Sequence, residues 1–302
     1  MKTSFIATIF NEENNIKDLI TSLLNQTKKI DEIIFVDNNS TDKTREIIKS
    51  YKNIKLLKYS GNRSKGRNFG IEHASGDIIL VSDSGCILDK NWVKNITSGF
   101  KNEDISVVSG YYLPICNSIF QKCLATYTCV MPDKLNENTY LPSSRSIAFK
   151  KSAWKTIGGY PKNLSTCEDL IFAVRLKKHN FHFILVKDAL VYWQQRKNLL
   201  SAFSQFFSYA KGDGKARYVR AQTPYLYLRY IVAVLLFYFS FKEHFLTLFI
   251  VLGSLYFFWA IYKNYVYIKS LYAIIYLPLL QLTSDIAVLA GMTVGLFLSF
   301  TN

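Results

Sequence analysis

At 302 residues the chain is long enough for one large domain or two modest ones, and 37 Lys and Arg against 22 Asp and Glu give it a net charge of +15. That charge points to anionic partners such as nucleotide phosphates or anionic lipid; no compact nucleic-acid motif accompanies it, so no nucleic-acid partner is expected. The five cysteines (Cys86, Cys116, Cys123, Cys129 and Cys167) are odd in number and lack CxxC spacing, which argues against a disulfide framework or a zinc site.

Hydrophobic residues make up 49% of the chain but are unevenly spread. Up to about Arg220 the composition is that of a soluble α/β protein; beyond Pro224 it is largely apolar. The amino-terminal run MKTSFIATIFNEEN is too short in apolar residues for a signal peptide. The first part of the chain is therefore expected in the cytoplasm.

Ser4 to Ile9 reads as a strand leading into Asn11 and Glu12. A helix follows, with Ile16, Leu19, Ile20, Leu23 and Leu24 on one face. A second strand, Ile33 to Val36, stops at Asp37, and Ser40 or Thr41 is the expected N-cap of a helix through Thr44, Ile47 and Ile48. A third strand covers Ile54 to Tyr59, and the basic segment GNRSKGRNFG (Gly61 to Gly70) opens another helix. Ile78 to Val81 then reads as a strand buried on both faces, releasing Asp83 into a turn with Ser84 and Gly85. Alternating strands and helices predict a parallel sheet covered on both faces. Each strand delivers acids or amides at the same end, which describes a carboxylate-lined cleft beside a basic segment, suited to a nucleotide.

The runs TIFNEENNI, VDNNSTDKT and GNRSKGRNFGIEHASGDIILVSDSG resemble the nucleotide-binding half of family 2 glycosyltransferases. SIAFKKSAWKTIGGY and STCEDLIFAVRL continue that resemblance, in order, over about two thirds of the chain. It implies a GT-A fold, an α/β Rossmann-like domain with a mostly parallel central sheet, and inverting sugar transfer from a nucleotide-sugar. It places Asn11 and Glu12 at the ribose and base, Asp37 as an acceptor from the base and Arg67 near the diphosphate. Asp83 becomes the first acid of a D-x-D motif that handles ribose and metal. Gly85 replaces the second acid, so a divalent cation, Mg²⁺ or Mn²⁺, loses one oxygen ligand. Asp89 reads as a cap before the helix at Asn91.

Val107 to Tyr112 reads as a strand, and Cys116 to Met131 as an apolar segment, helical in pattern, able to touch lipid or an acceptor. Gly158 and Gly159 mark a tight turn, and Tyr160 is expected to pack. An inverting transfer needs a base for the acceptor hydroxyl, usually a carboxylate. The family's E-D pair implies Asp169 as that base and Glu168 as an acceptor-binding or orienting neighbour; acids in a first helical turn also compensate the helix dipole. YWQQR, at Tyr192 to Arg196, carries no inference of polymer synthesis.

A helix from Asn198 to Lys211 with an aromatic face and a basic sequel reads equally as an interfacial helix on anionic lipid or as packing on the catalytic domain. Gly212, Asp213 and Gly214 read as a loop. Three apolar spans follow, at about Tyr225 to Phe241, His244 to Tyr262 and Leu271 to Phe300, each near or above the ~20 residues that cross a bilayer. The links Lys242 to Glu243 and Lys263 to Lys269, with the basic approach, predict a multi-pass protein of the cell membrane with its catalytic domain cytoplasmic. Asp285 calls for a polar partner, unless the third span breaks near Pro278.

The expected organisation is a nucleotide-sugar-binding half at 1–110, an acceptor half at 111–196, an interfacial segment at 197–224 and about three transmembrane helices at 225–302. The expected function is sugar transfer to a membrane lipid or lipid-linked saccharide. A non-catalytic nucleotide-binding subunit of a membrane glycan-assembly complex is the alternative, and a transporter component is disfavoured by the few polar residues in the spans.

Overall fold

The computed structural model describes residues 1–240 and 246–301. Its contacts divide the chain into two compact units, Met1–Ile115 with Met131–Gln194, and Cys116–Val130 with Gln195–Asn302. The link Lys242 to Glu243 lies outside the described residues.

The first unit begins with β1 (Thr3–Ile9), α1 (Ile16–Leu24), β2 (Glu32–Asp37), α2 (Thr44–Lys49), β3 (Ile54–Lys58), α3 (Arg63–Glu72) and β4 (Ile78–Val81). It continues with β5 (Cys86–Leu88), α4 (Trp92–Ser98) and β6 (Ile105–Ile115). The next helix, α5 (Ile119–Thr128), belongs to the second unit. β7 (Ile147–Lys150), α6 (Lys151–Thr156), α7 (Glu168–Lys178) and β8 (His182–Gln194) complete the first.

The eight strands form one sheet in the order β3-β2-β1-β4-β7-β6-β8-β5. β1 lies between β2 and β4, parallel to both, so Asn11, Asp37 and Asp83 all leave the sheet at its carboxyl edge. The strands pack as their apolar runs demand: Ile6, Ile34, Val36, Ile79 and Val81 share one core with Phe149 and Phe172. Beyond β4 the sheet becomes mixed. β7 runs antiparallel to β4, pairing Ile147 with Val81, and β5 runs antiparallel to β8. This reversal brings the residues before β7 to the edge where Asp83 emerges.

One cap differs from expectation. α2 has Lys43 at its N-cap position with no side-chain capping bond, and the Ser40 amide instead donates to the Asp37 carboxylate. Asp89 does accept from the Asn91 amide ahead of α4, at 2.9 Å.

The second unit contains α5, α8 (Leu199–Lys215), α9 (Thr223–Ser240), α10 (Leu246–Tyr265) and α11 (Ala273–Phe300). Helices α9, α10 and α11 are long and apolar enough to cross a membrane. α11 runs unbroken past Pro278, so the expected alternative of a break there does not occur. The contacts also move the apolar segment after β6 out of the expected acceptor half: Cys123 and Leu124 of α5 share a core with Ala202 and Phe206 of α8 and Leu277 and Leu280 of α11. The aromatic face of α8 is thus engaged within its own unit, which was neither of the two expected partners.

The loop expected at Gly212 to Gly214 is helix. α8 starts at a capping box made by Asn198 and Ser201 and continues through Lys215. Glycines let its backbone approach α11: a Cβ at Gly295 would sit 2.3 Å from the Lys211 carbonyl oxygen. Close backbone approach through small residues is how helices associate where lipid offers no hydrophobic gain. Asp213, buried here, is paired with Arg220 rather than solvated.

Asp285 lies inside α11 and is satisfied on every side. It accepts from Arg229 and Tyr230 of α9, Tyr256 of α10 and, one turn earlier in α11, Gln281. Lys263 donates to Gln281 and lies 4.0 Å from the Trp259 ring centroid. A carboxylate in an apolar span is tolerated only with such partners.

Replacing Gly295 with Val should cost about 1–3 kcal/mol by overpacking the α8–α11 contact. Gly253→Val, where no atom beyond the helix's own backbone lies within 4 Å of the new Cβ, should leave the thermal midpoint of the purified protein within about a degree of wild type.

Candidate active site

Arg67 is the centre of the site. Asn62 caps α3, accepting from the Lys65 amide at 2.9 Å, and the following turn carries Arg67 into the interior, 1% exposed. A guanidinium cannot shed its proton, so burial there requires compensating charge. Two carboxylates supply it. Nη2 donates to Asp83 Oδ1 at 2.8 Å and Nη1 to Glu168 Oε1 at 2.9 Å. The guanidinium also lies 5.2 Å from the centroid of Tyr160, whose ring stacks on Phe172 at 4.0 Å. Tyr160 packs, as expected, and in packing becomes the platform for Arg67.

Burial works to raise the Asp83 carboxyl, but Arg67, with Arg63 and Arg145, holds it below the usual range. Glu168 goes the other way. Its deeper burial, reinforced by the neighbouring Asp169 charge, raises it above an ordinary Glu in spite of Arg67. Arg67 pulls both acids down, and burial with the Asp169 charge sets Glu168 apart from Asp83. The Cys86 thiol, three residues from Asp83, is pushed up to about 12 by burial and is inert.

The turn before α7 is fixed by backbone constraint. Gly159 has φ +78° and no room for a Cβ, which would lie 2.7 Å from Asn68 Oδ1. The Asn68 amide group grips both sides of the Tyr160 backbone, accepting from its N–H and donating to its carbonyl, each at 2.9 Å. Cys167, just ahead of the acids, takes a left-handed φ of 65°, at a cost of about 1–2 kcal/mol for a non-glycine residue. The strain aims the first turn of α7. Asp169, partly exposed, accepts from Ser143 Oγ at 3.2 Å and the Ser144 amide at 3.3 Å through Oδ2. Its Oδ1 accepts from the Leu170 amide at 2.8 Å, so it also serves its own helix.

Asp83, Arg67, Glu168 and Asp169 are therefore brought together. Glu12 joins them through the turn after β4, its Oε1 accepting from Ser84 Oγ at 2.8 Å. Asn11 and Asp37 form a separate network. Asn11 donates through its amide to Ser40 Oγ at 3.0 Å, and the Ser40 amide donates to Asp37 at 3.2 Å. Asp37 is fully buried beside Arg45, 3.7 Å away. Arg67 is enclosed, with one N–H of each Nη given to a carboxylate and its Nε left without a hydrogen-bond partner.

Sequence reasoning missed Arg145, Ser143 and Arg63. Arg145 precedes β7, its guanidinium 3.9 Å from the Trp193 ring centroid and 5.1 Å from that of Tyr112. Its Nη1 donates to Ser143 Oγ at 3.1 Å. Arg63 stands 3.8 Å from Glu168. Only the basic run around Arg63 was visible as a pattern.

A hard divalent cation takes several oxygen ligands. Here the chain offers Asp83, one oxygen of which is held by Arg67, and Gly85 brings none; no atom lies within 4 Å of where its Cβ would be. Among the described residues no three His, Cys, Asp or Glu side chains are grouped to hold a metal ion. Among the described residues Asp83 is the acid that the turn after β4 offers to the Mg²⁺ or Mn²⁺ expected from the sequence.

Residues 4–152 match the family model described as Glycosyl transferase family 2. The poly(ribitol-phosphate) beta-N-acetylglucosaminyltransferase TarS of Staphylococcus aureus is 26% identical over 213 residues, 65% of this chain and 36% of that protein. The O-antigen chain rhamnosyltransferase WbaN of Salmonella anatum is 24% identical over 60% of this chain and 62% of its own length. The chain thus spans between about a third and two thirds of these relatives. Among solved structures, the mannosyltransferase PcManGT from Pyrobaculum calidifontis, in complex with GDP-Man and Mn²⁺, aligns over 94% of this chain and 86% of its own with a TM-score of 0.67 at 16% identity. TarS 1-349 with UDP-GlcNAc aligns over 70% of this chain and 64% of that one, TM-score 0.53, at 20% identity. These likenesses establish the GT-A fold.

The two acids give opposite pH signatures. Asp83, lowered in the fold from 3.8, stabilises the protein above that pH, and the contribution is lost as pH falls through its folded value. Glu168, raised from 4.5, ionises later in the fold than in the unfolded chain, so stability falls as pH climbs from 4.5 through its folded value. In unfolding curves measured across pH, Asp83→Asn should flatten the acid limb and Glu168→Gln the limb above 4.5.

Proposed function

We propose that this chain, a member of glycosyl transferase family 2 through residues 4–152, is an inverting glycosyltransferase that moves a sugar from a nucleotide-diphosphate donor to a membrane lipid or lipid-linked saccharide. The observation that carries the reading is the Arg67 node, which gathers Asp83 and Glu168 beside the partly exposed Asp169. Asn11, Glu12 and Asp37 are assigned to the nucleoside and Asp83 to the ribose. UDP, UDP-GlcNAc and GDP-Man in the structures of similar proteins support a nucleotide-sugar donor.

In this mechanism the acceptor hydroxyl attacks the anomeric carbon from the face opposite the diphosphate. The C1–O bond to phosphate breaks as the new C1–O bond forms, and configuration inverts in the single displacement. Asp169 takes the hydroxyl proton; Ser143 and the Ser144 amide hold its carboxylate in orientation. Glu168, tied to Arg67, fixes the helix turn that presents the base. A cation, if it enters with the donor, would be held by Asp83 and phosphate oxygens and would supply charge neutralisation.

Three helices long and apolar enough to cross a bilayer support membrane association and a lipid acceptor. The expected link lysine Lys263 lies within α10, and the stretch between α10 and α11 carries Lys269 and no acid, which supports a multi-pass protein with a cytoplasmic catalytic domain. Gly85 favours a second reading, a nucleotide-binding subunit without turnover in a membrane glycan-assembly complex. Sugar transfer by the purified chain would exclude it.

A screen of UDP- and GDP-linked sugars against extracted membrane lipids, read as sugar transferred to lipid, tests the proposal; transfer only to soluble acceptors would overturn the lipid assignment. Asp169→Asn should lower transfer by about a hundredfold or more with nucleotide binding retained. An unchanged rate would move the base elsewhere.

A further inference from the structure

Within the second unit, α11 packs in a way that a third membrane span would not. Its carboxyl-terminal half lies parallel to α8, and the contacts advance together along both helices. Gly291 faces the backbone of Phe207, Gly295 that of Lys211, and the Ser299 carbonyl accepts from Arg217. The apolar hairpin α9–α10 meets α11 differently. Tyr227, Arg229 and Tyr230 of α9 reach it between Asp285 and Thr293. Tyr256 and Lys263 of α10 reach it at Asp285 and Gln281, and Tyr265 packs on the cluster that holds Leu277. The two hairpin helices therefore sit side by side along α11, which runs across them rather than beside them. Further out the hairpin is exposed, as at Ile231 and Val234 of α9 and Leu248, Ile250 and Leu255 of α10.

Chain order leads to the same place. Helices apolar on all sides, as α9 and α10 are beyond those contacts, belong in hydrocarbon, and two crossings return the chain to the side it left. If α11 crossed the bilayer, α8, packed along it, would cross in the same direction and carry the chain to the far side before α9. The hairpin would go and return from there, and α11 would then have to run against α8. The glycine seam has it running with α8. Length agrees. The 28 residues of α11 make a rod of about 42 Å, against a hydrocarbon core of about 30 Å. The 18 and 20 residues of α9 and α10 fit that core. The exposed residues of α11 also form one stripe: Ile275, Leu279, Ile286, Phe297 and Phe300 fall within about 60° around the axis. Gly291 and Gly295 lie on the opposite face. There α8 adds Ser201, Ser204, Lys211 and Lys215, giving the pair the mixed character that an interfacial element needs.

Building on the membrane association of these helices, we propose that α11 lies in the plane of the bilayer, in the leaflet from which α9 enters, in place of the third span expected from the sequence. Its exposed stripe is sunk among the acyl chains, α8 forms the headgroup side of the pair, and the hairpin makes both crossings. Asp285 and Arg229 are then near headgroup depth, where a charge pair costs far less than at the bilayer centre. The carboxyl end of α11 is on the side from which α9 enters.

The test uses the full chain carrying Cys116→Ser, the other four cysteines being buried, in sealed membrane vesicles of both orientations. Ser270→Cys and Thr301→Cys, ahead of α11 and behind it, are exposed to a membrane-impermeant maleimide, and labelling is read above that of the parent. Both positions should label in the same vesicle orientation. Labelling in opposite orientations overturns the proposal while leaving the membrane association intact. Where either position labels in neither orientation, depth decides. Spin labels at Ile275→Cys, Ile286→Cys and Phe297→Cys should report one common depth, about 5–10 Å into the headgroup and acyl boundary. A crossing α11 would separate the first and last by about 33 Å along its axis, and a deepest reading at Ile286 overturns the inference. If the chain washes off the vesicles at alkaline pH, the membrane reading fails and this inference with it.

Discussion

The first unit depends on keeping one guanidinium out of water. Arg67 has no protonation escape, so its burial is tolerable only because Asp83 and Glu168 close on it from two different elements. That requirement ties the amino-terminal part of α3, the turn after β4 and the first turn of α7 into one object. Everything that aims the acids serves it: the Asn68 grip on Tyr160, the left-handed Gly159 and Cys167, the Tyr160–Phe172 stack. The node is structural in its energetics, and it fixes the residue after Glu168, the one proposed to accept the proton.

The helical unit solves a similar problem in apolar surroundings. Asp285 is compensated by Arg229 and by hydroxyl and amide donors from three helices, and α8 meets α11 through glycines where side chains would have kept the backbones apart. Hydrophobic association gives little specificity between helices that all face lipid-like solvent. Polar satisfaction and backbone approach therefore decide which helices meet.

Much of the first unit was legible because parallel strands announce themselves twice, by an apolar run and by the polar residue released at its end. Ile78 to Val81 followed by Asp83 is the clearest instance, and sharing β1 as neighbour puts the tips of β2 and β4 on one edge. What stayed hidden was pairing in the other direction. Nothing local to LPSSRS gives the antiparallel pairing of β7 with β4, which leaves the Arg145 carbonyl accepting from the Ser82 hydroxyl. Burial was equally invisible: Asp37 sits at a strand tip as its sequence implies, yet its carboxylate is turned onto Ser40 and Arg45. Gly212 to Gly214 failed for a different reason. Glycine costs a helix about 1 kcal/mol relative to alanine, so the run reads as a break, but that cost is offset where a second helix needs the space. The G-x-x-x-G at Gly291 and Gly295 was the available signal.

The claim that Arg67 is held by charge compensation, and that the compensation builds the site, is tested most directly by unfolding Arg67→Met beside the neutral triple variant Arg67→Met, Asp83→Asn, Glu168→Gln. Removing the cation alone leaves two carboxylates without their counter-charge and should cost about 3–5 kcal/mol. Neutralising all three should recover most of that stability while nucleotide binding stays lost. A triple variant no more stable than Arg67→Met, or one that binds nucleotide as wild type does, would contradict the account.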